Sequence, residues 1–73
     1  MEKKYYKYGL RPIREEIEKG KSTFYAFQWD TGVFKQDMTY YSKIRFDISG
    51  DREDLTEKAF NDYVKKIKKE KGL

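Results

Sequence analysis

Ser22-Thr23-Phe24-Tyr25-Ala26-Phe27-Gln28-Trp29-Asp30-Thr31-Gly32-Val33-Phe34-Lys35-Gln36 is the stretch on which the fold turns. Its two halves carry the aromatic and β-branched residues of strands, and Asp30-Thr31-Gly32 separates them. Gly32 suits the left-handed position of a three-residue hairpin, which pairs Trp29 with Val33. Phe27 then faces Lys35 and Gln28 faces Phe34, so that Tyr25, Phe27, Trp29 and Val33 share one side. A slip of one residue exchanges the two sides. The register therefore decides which rings build the core.

Working outward, residues 4–8 alternate as a short strand that Gly9 breaks. Pro12 suits a first helical turn, Ile13 and Ile17 lie four apart, and Lys19-Gly20 supplies a basic last turn and a stop. Residues 12–19 thus read as a two-turn helix or an irregular loop. A tight turn at Asp37-Met38 leads into residues 39–49, where Ile44, Phe46 and Ile48 alternate with Lys43, Arg45 and Asp47. That is the pattern of a half-buried antiparallel strand. A polar loop follows over residues 49–54. Thr56 then caps a final helix, with Leu55 before the cap set to staple onto Phe60. Ala59, Phe60, Tyr63, Val64 and Ile67 give it an apolar stripe as far as about Lys69. The expected architecture is α+β: a three- to four-stranded antiparallel sheet with the C-terminal helix packed on one face, residues 1–73 forming a single small domain.

Five Phe, seven Tyr and one Trp make 18% of the 73 residues, more than so small a domain can bury completely. Most of these rings are expected to replace the disulfide or metal that small scaffolds use, and the remainder to lie exposed, where rigid amphipathic side chains favour partner binding. The chain has no His and no Cys, which removes the commonest general base, the commonest strong nucleophile and most soft-metal chemistry. Glycines stand singly, the serines lack a His to activate them, and Asp51, Glu53 and Asp54 lack the spacing of a calcium loop. Glu15, Glu16 and Glu18 read as surface charge on the short helix. The expectation is a non-enzymatic protein with no cofactor and no metal. No apolar run is long enough to span a membrane, no leader is evident, and the absence of Cys fits a reducing cytoplasm.

With the register above, Tyr40, Ser42, Ile44, Phe46 and Ile48 join the core face beneath the last helix. The opposite face collects Phe24, Ala26, Gln28, Phe34, Gln36, Tyr41, Lys43, Arg45 and Asp47. Phe24, Phe34, Tyr41, Lys43 and Arg45 are its candidate partner-binding residues, unless the N-terminal segments fold over and bury them. The net charge is +4, and residues 1–63 carry 12 basic and 12 acidic side chains. The whole excess therefore lies in Lys65, Lys66, Lys68, Lys69 and Lys71 against Glu70. These lysines are candidate contacts for phosphate or an acidic partner, and they also complement a helix C-terminus and aid solubility.

Rings, a neutral body and absent chemistry together point to a module that engages a larger protein partner through an aromatic and basic sheet face. In general character, without any motif, this composition is similar to small accessory or inhibitory proteins of phages and mobile elements. The alternative is a nucleic-acid-binding domain that uses the sheet face and the lysine-rich helix end. It lacks the basic helix start of double-stranded-RNA-binding domains and the stacking motif of RNA-recognition domains. An anionic ligand held between subunits, and a homodimer through the open face, are further expectations.

Overall fold

The computed structural model describes residues 1–47 and 49–73, and in it five antiparallel strands form one sheet in the order β4-β3-β2-β1-β5. β1 (Glu2–Tyr8), β2 (Arg11–Glu18), β3 (Lys21–Phe27) and β4 (Phe34–Gln36) follow one another as a meander. Helix α1 (Tyr40–Arg45) then packs on one face, and β5 (Arg52–Leu55) returns to the far edge beside β1. Helix α2 (Glu57–Lys71) closes the other face. The α+β class and the C-terminal helix on an antiparallel sheet match expectation, but the sheet is larger and carries a helix on each face.

Residues 12–19 are not a helix. Ile13, Glu15 and Ile17 alternate with Pro12, Arg14 and Glu16, and that period of two places them in central strand β2. Lys19-Gly20 is a hairpin turn rather than a helix stop. Both residues have positive φ, 52° and 78°, the requirement of a type I′ turn, and Glu18 pairs with Lys21 across it. Pro12 sits at the start of β2, beyond the ladder with β3, which begins at the Ile13–Ala26 pair. Its missing N–H is tolerated there.

The β3–β4 hairpin is shifted by one residue from the expected register. Phe27 pairs with Phe34 and Ala26 with Lys35, and the loop closes where Gln28 N–H donates to the Val33 carbonyl at 2.8 Å. Trp29 and Val33 are therefore not paired, and Trp29 belongs to a four-residue loop that ends at Gly32. Tyr25, Phe27, Phe34 and Gln36 share the α2 side, while Phe24 and Ala26 turn toward α1.

Where a strand is expected over residues 39–49, residues 40–45 form α1 instead. Tyr40 and Ile44 lie four apart, and both are buried on the sheet, which is the spacing of a helix face. The Asp37 carboxylate accepts from the Thr39 N–H at 3.1 Å and from the Thr39 hydroxyl, turning the chain into the first turn. Arg52 donates to the Ile44 carbonyl at 3.0 Å at the other end. Phe46, expected in the core, is 67% exposed, and the same expectation for Ile48 lies outside the described residues. Part of the polar loop becomes β5, because Asp47 accepts from the backbone N–H groups of Asp51 and Arg52 and feeds them into the sheet edge.

Two aromatic layers hold the fold. On the α1 side Tyr6, Ile13, Phe24, Ala26, Tyr40 and Ile44 form one buried cluster. On the α2 side Phe60 meets Tyr5 and Phe34 at centroid distances of 4.9 and 5.6 Å, and Phe34 meets Phe27 at 5.5 Å. Thr56 accepts the Ala59 N–H at 3.1 Å, so the cap expected for α2 is in place.

Candidate binding surfaces

Glu15 alternates inward with Ile13 on β2 and is 0% exposed, so it is not the surface charge expected of a short helix. Its carboxylate accepts from the Tyr6 hydroxyl at 2.6 Å and from Arg45 of α1 at 2.6 Å, and the same guanidinium donates to Ser22 at 3.1 Å. Burial raises the pKa of this carboxyl, but the Tyr6 hydroxyl and the Arg45 charge outweigh it and hold it below the usual carboxylate range. Burial and the adjacent carboxylate push the Tyr6 phenol well above its ordinary value. Burial opposes the Arg45 charge, yet Glu15 holds its pKa above the ordinary value. The pair is fully ionised at neutral pH and fastens α1 to the sheet.

Further contacts lock the helix. Arg11 donates to the Tyr40 hydroxyl at 3.1 Å, and the Tyr8 ring meets Tyr40 edge-on at 5.8 Å. With Tyr40 and Ile44 inward, a rotation of 100° per residue puts Ser42 on the crest of α1. Tyr41 and Arg45 then lie on one flank, Lys43 and Phe46 on the other. Tyr41 is 45% exposed and Met38, one turn earlier, 43%. Beside Phe46 a shallow groove of about 460 Å³ is lined by Tyr8, Ser42, Lys43 and Ser49.

The five residues expected on one open sheet face are thus redistributed. Tyr41, Lys43 and Arg45 all lie on α1, with Lys43 on the opposite flank from the other two. Phe24 lies beneath them, fully buried, with the Tyr41 ring edge-on at 5.9 Å and the Arg45 guanidinium 5.8 Å from its centroid. Phe34 is on the opposite face, half-buried under Phe60. The one-residue register shift accounts for Phe34, and the helix accounts for the rest. Phe46 and Met38 join the surface although alternation hid the first and turn chemistry the second. An i, i+4 reading of Tyr40 and Ile44 would have exposed both.

The five lysines of α2 also divide. Lys65 and Lys69 point away from the sheet, opposite the Phe60–Ile67 stripe, and Lys68 lies toward the turn at Gly32. Lys66 and Lys71 line a groove of about 500 Å³ together with Trp29, Tyr63, Ile67 and Glu70. The expected register puts Trp29 on the core side, whereas the four-residue turn makes it a groove residue. Among the described residues no group of three or more metal-ligating side chains comes together, and no helix is long and apolar enough to cross a membrane. No protein family, curated protein or solved structure matches this chain.

Proposed function

We propose that the protein is a binding module that engages a larger protein partner through the exposed side of α1, whose two flanks supply Tyr41 and Phe46 as anchors and Arg45 and Lys43 as charged contacts, with occlusion of the partner's site as the consequence. The observation that carries this reading is the coexistence of exposed rings with a rigid mount. Tyr41 on α1, Phe46 at its C-cap and Met38 in the turn before it are large side chains left in solvent around a helix pinned by an ion pair whose Glu15 end is fully buried. Exposed aromatics on a preorganised element are the composition and the mechanics of interface hot spots, because little ordering entropy remains to be lost on binding. The groove beside Phe46 offers a seat for a side chain of the partner.

A standard interface covers roughly 800 Å² on each side. On a molecule exposing 5091 Å² this is about a sixth of the surface, so α1 forms the centre and Tyr8 and Ser49 belong to the rim. In co-precipitation from native extract, Tyr41→Ala/Phe46→Ala loses the partner that the wild type retains, while circular dichroism shows unchanged folding. Lys65→Gln/Lys69→Gln, on the far side of α2, retains it. Equal retention by the aromatic variant removes α1 as the interface.

A further inference from the structure

We propose that the groove at the C-terminal end of α2 binds single-stranded nucleic acid, with Trp29 as the stacking platform and Lys66 and Lys71 as phosphate contacts. This goes beyond the α1 reading, since it concerns the other face of the sheet and stands or falls separately.

Three observations converge on it. The first is the ring. Trp29 sits in a turn rather than in a core layer, braced on one edge by Phe27 at 5.5 Å. Lys71 Nζ lies 5.2 Å and the Arg11 guanidinium 5.8 Å from its centroid. Cations already gathered around an aromatic ring are placed to take the phosphates of a base that stacks on it, Lys71 moving from ring to phosphate.

The second is the rigidity of the floor. Tyr63 donates to the Leu10 carbonyl at 2.8 Å and carries Lys7 over its ring at 4.9 Å, and Ile67 is buried beneath. Leu10, 73% exposed, stands at the lip. A groove of about 500 Å³ with an aromatic floor is within the size range of small-ligand pockets and can take a splayed base and its sugar.

The third is charge. The chain's whole positive excess lies in residues 64–73, and none of Lys65, Lys66, Lys68, Lys69 and Lys71 forms a salt bridge among the described residues. Glu70 is the one carboxylate in the lining. An acidic peptide would satisfy the lysines and leave the Trp29 platform without a partner. A duplex would offer phosphates but keep its base faces stacked. Only a single strand uses both features.

Trp29 is the sole tryptophan, so its fluorescence reports the site directly. Oligothymidylate is titrated into the full chain at low and physiological salt, beside a duplex of the same length and polyglutamate. Saturable quenching by the single strand that persists at physiological salt, with weaker binding of duplex and none of polyglutamate, is the expected result. With a labelled oligonucleotide read by anisotropy, Trp29→Leu weakens binding about tenfold or more. Lys66→Gln/Lys71→Gln makes the log–log salt dependence shallower by about 1.4, and Glu70→Gln tightens binding. Should Trp29→Leu fail to fold, quenching and the lysine variant decide. Absence of quenching overturns the proposal. So does polyglutamate binding as tightly as the oligonucleotide, which marks an acidic-protein contact, or a duplex binding equally well.

Discussion

In Arg45→Met the Glu15 carboxylate keeps the Tyr6 hydroxyl at 2.6 Å but loses the guanidinium at the same distance, and with it the charge that neutralises it. Removing one partner of a buried ion pair costs about 3–5 kcal/mol when both ends are dry. Glu15 is 0% exposed but the Arg45 side chain is 33% exposed, and solvent screening at that end brings the expected cost to about 2–3 kcal/mol. Glu15 also sets a ceiling, because it can take up a proton instead. From an ordinary pKa of 4.5, neutralisation at pH 7 costs about 3.4 kcal/mol at 1.36 kcal/mol per unit. The penalty therefore shrinks as pH falls, by up to about 1.4 kcal/mol per unit. In a domain of this size each kcal/mol moves the melting temperature by about 4–8 °C, so Arg45→Met melts roughly 10–20 °C lower at pH 7. The assay is thermal unfolding by circular dichroism for wild type, Arg45→Met, Glu15→Met and the double variant, from neutral to mildly acid pH. The double variant loses less than the sum of the singles by at least about 1 kcal/mol. Additive losses, or an Arg45→Met curve within about 3 °C of wild type, would refute the clamp.

Other outcomes follow from the same geometry. Phe24→Ala opens a cavity under α1 and costs about 3–5 kcal/mol, whereas Tyr41→Ala above it costs about 1 kcal/mol or less; urea titration that ranks them the other way contradicts their placement. The folded-state pKa of Glu15 lies below its unfolded value, so the unfolded chain binds more protons there and stability rises with pH. Its contribution is complete above about pH 4.5 and is lost as pH falls through the folded value; Glu15→Gln flattens this acid limb, and an unchanged slope in acid denaturation counts against the pair. Thr56→Ala removes the acceptor for the Ala59 N–H and costs about 1 kcal/mol in urea unfolding, with a negligible change speaking against the cap.

Helix α2 was legible because its signals agree: the Thr56 cap, the apolar stripe and the lysine-rich end all depend on neighbours within a few residues. The alternating β1 was legible for the same reason. Residues 12–19 misled because Ile13 and Ile17 satisfy a helix period as well as a strand period, and Glu15 looks like solvent charge until Arg45, 30 positions away, reaches it. Residues 39–49 misled in reverse, since Ile44-Arg45-Phe46 alternates while Tyr40 and Ile44 actually set the face. The hairpin at Trp29 admits three- and four-residue loops, and that single residue moves Phe34 from one side of the sheet to the other. Tyr41, Lys43 and Arg45 were found together from the wrong element. Their placement on the two flanks of α1 follows from the i, i+4 spacing of Tyr40 and Ile44, a local signal that the alternation of Ile44-Arg45-Phe46 masked.

Photo-crosslinking tests the central claim, that α1 is the recognition surface, most directly. A benzophenone amino acid is placed singly at Tyr41, Phe46 or Lys58, the last being 88% exposed at its side chain on α2. Each variant is irradiated in native extract with untagged competitors. The account predicts one common adduct from Tyr41 and Phe46 and none from Lys58, abolished by excess wild-type protein but not by excess Tyr41→Ala/Phe46→Ala. Adducts arising equally from Lys58, or competition that is equally effective with the aromatic variant, would contradict it.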